Sequence, residues 1–207
     1  MAKKVEIGTE ISRGWELFKG NMGLLILATL LMGVCAVFTC LILLAPLMAG
    51  NFLIIQRLLK KDPAVPQVGD LFKGFDYFLN AFLFALVTGI IMVIPGVNIL
   101  GILSVPLAGI GIMFIVFGKM GFAEAMKKIF NEISSGPFWL LILTTLIACI
   151  IGNLGLGVCG IGALFTWPLA SCIIVCAYHT AYEGADAEQP PPVEQTPEAP
   201  PPPMPEA

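Results

Sequence analysis

The chain has 207 residues, a formal net charge of −3, 57% hydrophobic and 12% charged residues, and a mean hydropathy of +0.91. This balance excludes an ordinary soluble domain and points to a membrane protein. Much of the acid lies in the last two dozen residues and no basic run is long, so nucleic acid is not expected as a partner.

The charges fall outside three uncharged stretches, Gly20–Gln56, Tyr77–Gly118 and Ile133–Tyr182, of 37, 42 and 50 residues. As a single helix even the shortest would reach about 55 Å, against a hydrocarbon core of roughly 30 Å. Each stretch therefore predicts two membrane helices and an uncharged turn. The expected fold is an all-α membrane protein with six transmembrane helices, arranged as three hairpin repeats (residues 6–61, 67–119 and 121–183).

In chain order, Glu6–Lys19 is amphipathic: Ile7, Ile11, Trp15 and Phe18 form a stripe, with Glu6, Glu10, Arg13 and Glu16 largely off it. This segment is too charged to span and predicts an interfacial helix with Trp15 near headgroup level. The following apolar segment reads as uncleaved, because it lacks signal-peptidase chemistry and Val34 before Cys35 departs from a lipoprotein box. Spans are predicted at 22–39 and 41–59. A second stripe, Val68, Leu71, Phe72, Phe75, Phe78 and Leu79, has Asp70, Lys73 and Asp76 opposite and precedes spans 80–96 and 98–118. A third, Phe122, Met126, Ile129, Phe130 and Ile133, has Glu124, Lys127, Lys128 and Glu132 opposite and precedes spans 138–155 and 160–182. The stripes would pack on neighbouring spans as well as lie in the interface. Residues 184–207 hold nine of the sixteen prolines with interspersed Glu, which predicts an extended, disordered acidic tail.

All eleven Lys and Arg lie in the N-terminal segment or around the second-to-third and fourth-to-fifth connections. The positive-inside rule then places both termini in the cytoplasm. Hairpins that dip into the bilayer and return would give the same charge pattern, but their turns would need shelter by protein.

A Pro-Leu element occurs once per repeat: Pro46-Leu47, Pro106-Leu107 and Pro168-Leu169, each followed by a small residue three positions past the proline (Ala49, Gly109, Ser171). The prolines are 60 and 62 residues apart, which supports an internal repeat. A proline within a helix frees a carbonyl one turn earlier, and small residues let another backbone approach. Pro46, Ala49, Pro106, Gly109, Pro168 and Ser171 are thus expected as packing joints, with the prolines at similar depth, in preference to lining a central pocket.

Chemistry is otherwise sparse. The spans contain no Asp, Glu, Lys or Arg, which weighs against ion-coupled transport. His179, the only histidine, stands between Tyr178 and Tyr182 and reads as an interfacial polar residue, not a ligand or base. Cys172 and Cys176 read as packing residues. Cys35, Cys40 and Cys159 lie near the outer turns, where a disulfide would form only in an oxidising compartment. The Gly152–Gly162 stretch lacks the Lys-Ser or Lys-Thr of a phosphate loop. Ser104, Thr144, Thr145, Thr166 and Asn153 are expected to bond within or between helices. No catalytic, cofactor or metal residues are assigned, and no enzyme is expected.

The block Pro46-Leu47-Met48-Ala49-Gly50 through Leu59, followed by Asp70-Leu71-Phe72-Lys73-Gly74-Phe75, resembles a group of uncharacterised bacterial integral membrane proteins. These are distantly similar to the membrane domain attached to some glycerophosphoryl diester phosphodiesterases. The resemblance covers roughly residues 6–183 and implies a bacterial cytoplasmic membrane. It carries over no phosphodiesterase activity, because that catalytic domain has no counterpart here. The function expected is that of a non-catalytic membrane protein acting through membrane lipids, or through a protein partner at the tail or interfacial helices. The alternative is a permease or channel for a neutral or lipid-like solute.

Overall fold

The computed structural model describes residues 6–39, 42–93, 98–155 and 162–182. Among them there is no strand. The elements are α1 (Ile7–Gly20), α2 (Met22–Phe38), α3 (Leu44–Leu59), a 3-10 segment (Val68–Tyr77), α4 (Phe78–Val93), α5 (Asn98–Phe117), α6 (Phe122–Glu132), α7 (Gly136–Leu154) and α8 (Ala163–Tyr182). The predicted tail at 184–207 and the turn residues Cys40, Pro95 to Val97 and Cys159 lie outside the described residues.

Each predicted span appears as a helix within a few residues of its expected bounds. By length and composition, three stretches can cross a bilayer: Val68–Ile90, Gly136–Leu154 and Ala163–Tyr182. The pair α1 and α2, bent by 91° at Asn21, makes a fourth if taken as one span, while Leu44–Leu59 and Ser104–Phe117 are shorter. The bend has a local cause, since Gly20-Asn21 breaks the helix where the polar sequence meets the apolar one. The second amphipathic stretch departs from expectation. Without such a break, it runs as a 3-10 segment directly into α4.

Two layers organise the helices. The inner one is α3, α5 and α8: Leu47, Ile54 and Ile55, then Ile110 to Val116, then Cys172 to Ala177 are almost fully buried. α3 packs on both α5 and α8, and the Phe114 and Tyr178 rings meet edge to face at 5.7 Å. The outer layer is α2, α4 and α7, each packed on the inner helix that follows it and each leaving large apolar side chains exposed, such as Leu27, Leu86 and Leu143. The amphipathic elements pack across hairpins: the 3-10 segment on α3, α6 on α5, and α1 on α8.

The three prolines are not equivalent in their helices. Pro106 and Pro168 lie inside α5 and α8, as expected. Pro46 stands in the first turn of α3, where a missing N–H removes no helical bond, so it starts that helix instead of interrupting it. The small residues past the prolines also differ from expectation. Ala49 is buried, but a Cβ on Gly109 would meet nothing within 4 Å, and Ser171 donates to its own helix at Trp167 O, 3.0 Å away. The close approach occurs one residue on, at Gly50, whose Cβ position is taken by the backbone of Leu71.

α3 ends in a Schellman arrangement. The Asp62 N–H donates to Arg57 O at 3.0 Å and the Lys61 N–H to Leu58 O at 3.2 Å, which puts Lys61 in the left-handed region at φ 50°. A non-glycine residue there costs about 1 kcal/mol. The variant Lys61→Gly should therefore raise the thermal unfolding midpoint by roughly 2–4 °C in detergent, read by circular dichroism.

Candidate functional site: a charged joint between the first and last helices

The sequence reading places Glu10 off the buried stripe of α1. The structure corrects this: the buried residues of α1 are Glu10, Gly14 and Phe18, and Trp15 is 45% exposed. The docking face has rotated toward the polar side because of Gly14. A Cβ there would lie 2.6 Å from the Ile173 side chain and 2.9 Å from its backbone, so α1 approaches α8 at a distance only glycine permits.

That approach carries Glu10, 1% exposed, against Thr180. The Thr180 hydroxyl donates to Glu10 Oε1 at 2.8 Å and accepts from Arg13 Nη1 at 3.0 Å. The direct Arg13–Glu10 separation is longer, 3.7 Å to Oε2, an oxygen with no hydrogen bond among the described residues. Thr180 thus bridges the two charges. Burying a carboxylate is unfavourable unless its charge is balanced and its oxygens are bonded, and this three-residue relay supplies most of both.

His179, 1% exposed, lies in an aromatic group with Phe117 (centroids 5.5 Å apart) and Tyr178 (6.0 Å). Lys128 of α6 reaches into the same group, with its ammonium 4.5 Å from the Phe114 ring centre and 5.1 Å from that of Tyr182. Such contacts contribute about 1–2 kcal/mol when partly desolvated. They fasten α6 to the C-terminal ends of α5 and α8. Cys172 and Cys176 are fully buried beside this region. Cys35 is half-buried on α2, while Cys40 and Cys159 fall outside the described residues.

A second joint fastens the 3-10 segment to α3. Arg57 pairs with Asp62 at 2.9 Å and Asp70 at 2.8 Å, and Lys73 with Asp70 at 2.7 Å. The Arg57 hydrogen bond, helped by the Ala64 N–H, holds the Asp62 carboxyl below its usual range. Here the glycine contact is reciprocal: Gly74 lies against the backbone of Pro46 and Gly50, and Gly50 against Leu71. The two joints share a pattern, Glu10-Ile11-Ser12-Arg13-Gly14 and Asp70-Leu71-Phe72-Lys73-Gly74, 60 positions apart. An acid, a base three residues on and then glycine is the sequence signal that would have located both.

Of the groups expected to bond within or between helices, Thr144 donates to Leu140 O at 2.8 Å, as Thr29 and Thr88 do to the carbonyl four residues back. The buried Thr145 hydroxyl departs from expectation, with no hydrogen-bond partner among the described residues. Thr166 ties α8 to α7 through Gly152 O at 2.8 Å, and Asn153 bonds within α7. Among the described residues no three His, Cys, Asp or Glu side chains are grouped to hold a metal. The site therefore offers electrostatic fastening of helices. In comparisons with family models, curated proteins and solved structures, nothing matches the chain.

Proposed function

We propose that this chain is a bacterial cytoplasmic-membrane protein of six membrane helices in three hairpins, with both termini in the cytoplasm. In this reading it acts without catalysis, through lipids or a protein partner met at its amphipathic elements and tail. The observation that carries the reading is the separation of surfaces. The outer helices bear exposed apolar side chains, whereas the charged residues gather beside the C-terminal ends of α3, α5 and α8. The repeat is supported by the way each amphipathic element sits on the inner helix of another hairpin, in cyclic order. The Pro46, Pro106 and Pro168 positions, each roughly three to four turns before the end of its helix, fit the same arrangement.

The permease reading would need polar groups free to line a path. Thr166 and Ser171, which would contribute, are bonded to backbone carbonyls, which favours the non-transport reading. The test combines topology with function. Fusion reporters at both termini should report cytoplasmic locations, and reporters near Asn153 the outside. In-cell crosslinking should capture partners that depend on the tail or on α1, while reconstituted vesicles move no solute. Solute flux with no captured partner would reverse the ranking, and an inward Asn153 would replace the third spanning hairpin by a re-entrant one.

A further inference from the structure

The three amphipathic elements use their bases differently. Arg13 of α1 is tied to Glu10 and Thr180, and Arg57 and Lys73 are tied to Asp62 and Asp70. Around α6 the acids are engaged locally. Glu124 Oε2 accepts from the Gly121 N–H at 3.2 Å, at the start of its own helix, and Glu132 Oε2 accepts from the Ser135 hydroxyl at 2.8 Å. Lys119 and Lys127, both exposed, make no ion pair among the described residues. Lys128 lies over the Phe114 and Tyr182 rings instead.

Apolar groups stand beside these lysines. With Ala125 and Ile129 buried, Lys127 and Phe130, three positions apart, share the outward side of α6, and Phe130 is 66% exposed. Trp139, half exposed, donates its indole N–H to Ile133 O at 2.7 Å, which holds that ring beside the end of α6. An exposed ammonium group next to an exposed phenyl, with an indole close by, suits a helix lying in the headgroup layer.

We infer that the outward face of α6 is a docking surface for anionic phospholipid, whose phosphates accept from the Lys119 and Lys127 ammonium groups while Phe130 enters the acyl boundary. This rests on the membrane reading proposed above and narrows its lipid partner to one charge class. Each lysine at an anionic surface strengthens binding roughly fivefold.

The test takes the full chain in mixed micelles of phosphatidylglycerol and phosphatidylcholine with the same acyl chains. Native mass spectrometry then counts the lipids of each kind that stay bound. Phosphatidylglycerol should be retained in excess, and Lys119→Gln/Lys127→Gln should cut that excess by about tenfold or more. Lys19→Gln/Lys61→Gln, the control, should leave it within about twofold. All four side chains are exposed, so circular dichroism should show both variants folded. Equal retention of the two lipids by the parent overturns the inference and leaves the face to another occupant, such as the chain's own acidic tail. An unchanged excess in the Lys119/Lys127 variant, or an equal loss in the control, also overturns it, because the preference would then belong to the charged surface at large. Failure to float with vesicles of either lipid overturns the membrane reading and this inference with it.

Discussion

Gly74→Ala should leave little folded protein, with a cost of about 4 kcal/mol or more, because the added methyl falls on backbone and not on a side chain that can turn away. Its position is occupied by the Pro46 carbonyl and the Gly50 amide, so the 3-10 segment would have to lift off α3. Lifting it would also separate Arg57 from Asp70, now 2.8 Å apart. Gly50→Ala should fail in the same way, from the other side of the contact. Gly109→Ala is the control. Its Cβ meets nothing within 4 Å, so stability should stay within about 1 kcal/mol of the parent, on the favourable side through helix propensity. Fluorescence-detected size exclusion in mild detergent, followed by thermal melts, separates the outcomes. A Gly74→Ala protein as stable as the parent would show that the two backbones are not in contact.

Arg13→Met should destabilise the protein by about 3 kcal/mol, since it leaves the buried Glu10 carboxylate bonded to Thr180 with its cation gone. The double variant Glu10→Gln/Arg13→Met should recover at least half of that loss, because the uncompensated charge goes with the acid. Thr180→Val, nearly the same shape, should cost about 2 kcal/mol by removing the bridging hydroxyl. Additive effects of Glu10→Gln and Arg13→Met in a double-mutant cycle would mean that the two charges do not interact.

The helix bounds were legible because uncharged runs longer than any single span must fold back, and lipid-facing helices tolerate few charges. Membership of the amphipathic stripes was legible too, but not the face that docks. Hydrophobic periodicity leaves Glu10 off the apolar stripe; Gly14, by letting α8 come close, turns it inward while Trp15 stays exposed. Periodicity weighs side chains by polarity, whereas within a bilayer helices associate through close packing and hydrogen bonds, which a glycine beside an acid and a base supplies. The Pro-Leu element was a sound measure of spacing and a poor one of local role. Whether a proline starts a helix, as Pro46 does, or lies within it, as Pro106 and Pro168 do, depends on how many residues precede it.

The contact between α1 and α8 also sets an order of events during synthesis. Arg13 and Thr180 are 167 residues apart, and at about 5–20 residues per second the ribosome needs about 10–30 s to make the chain between them. For that interval α1 has been made but its partner has not, so Glu10 and Arg13 stay hydrated until α8 follows. An acid that ends up only 1% exposed is therefore enclosed late. A nascent chain halted before Thr180 should still expose α1 to added protease.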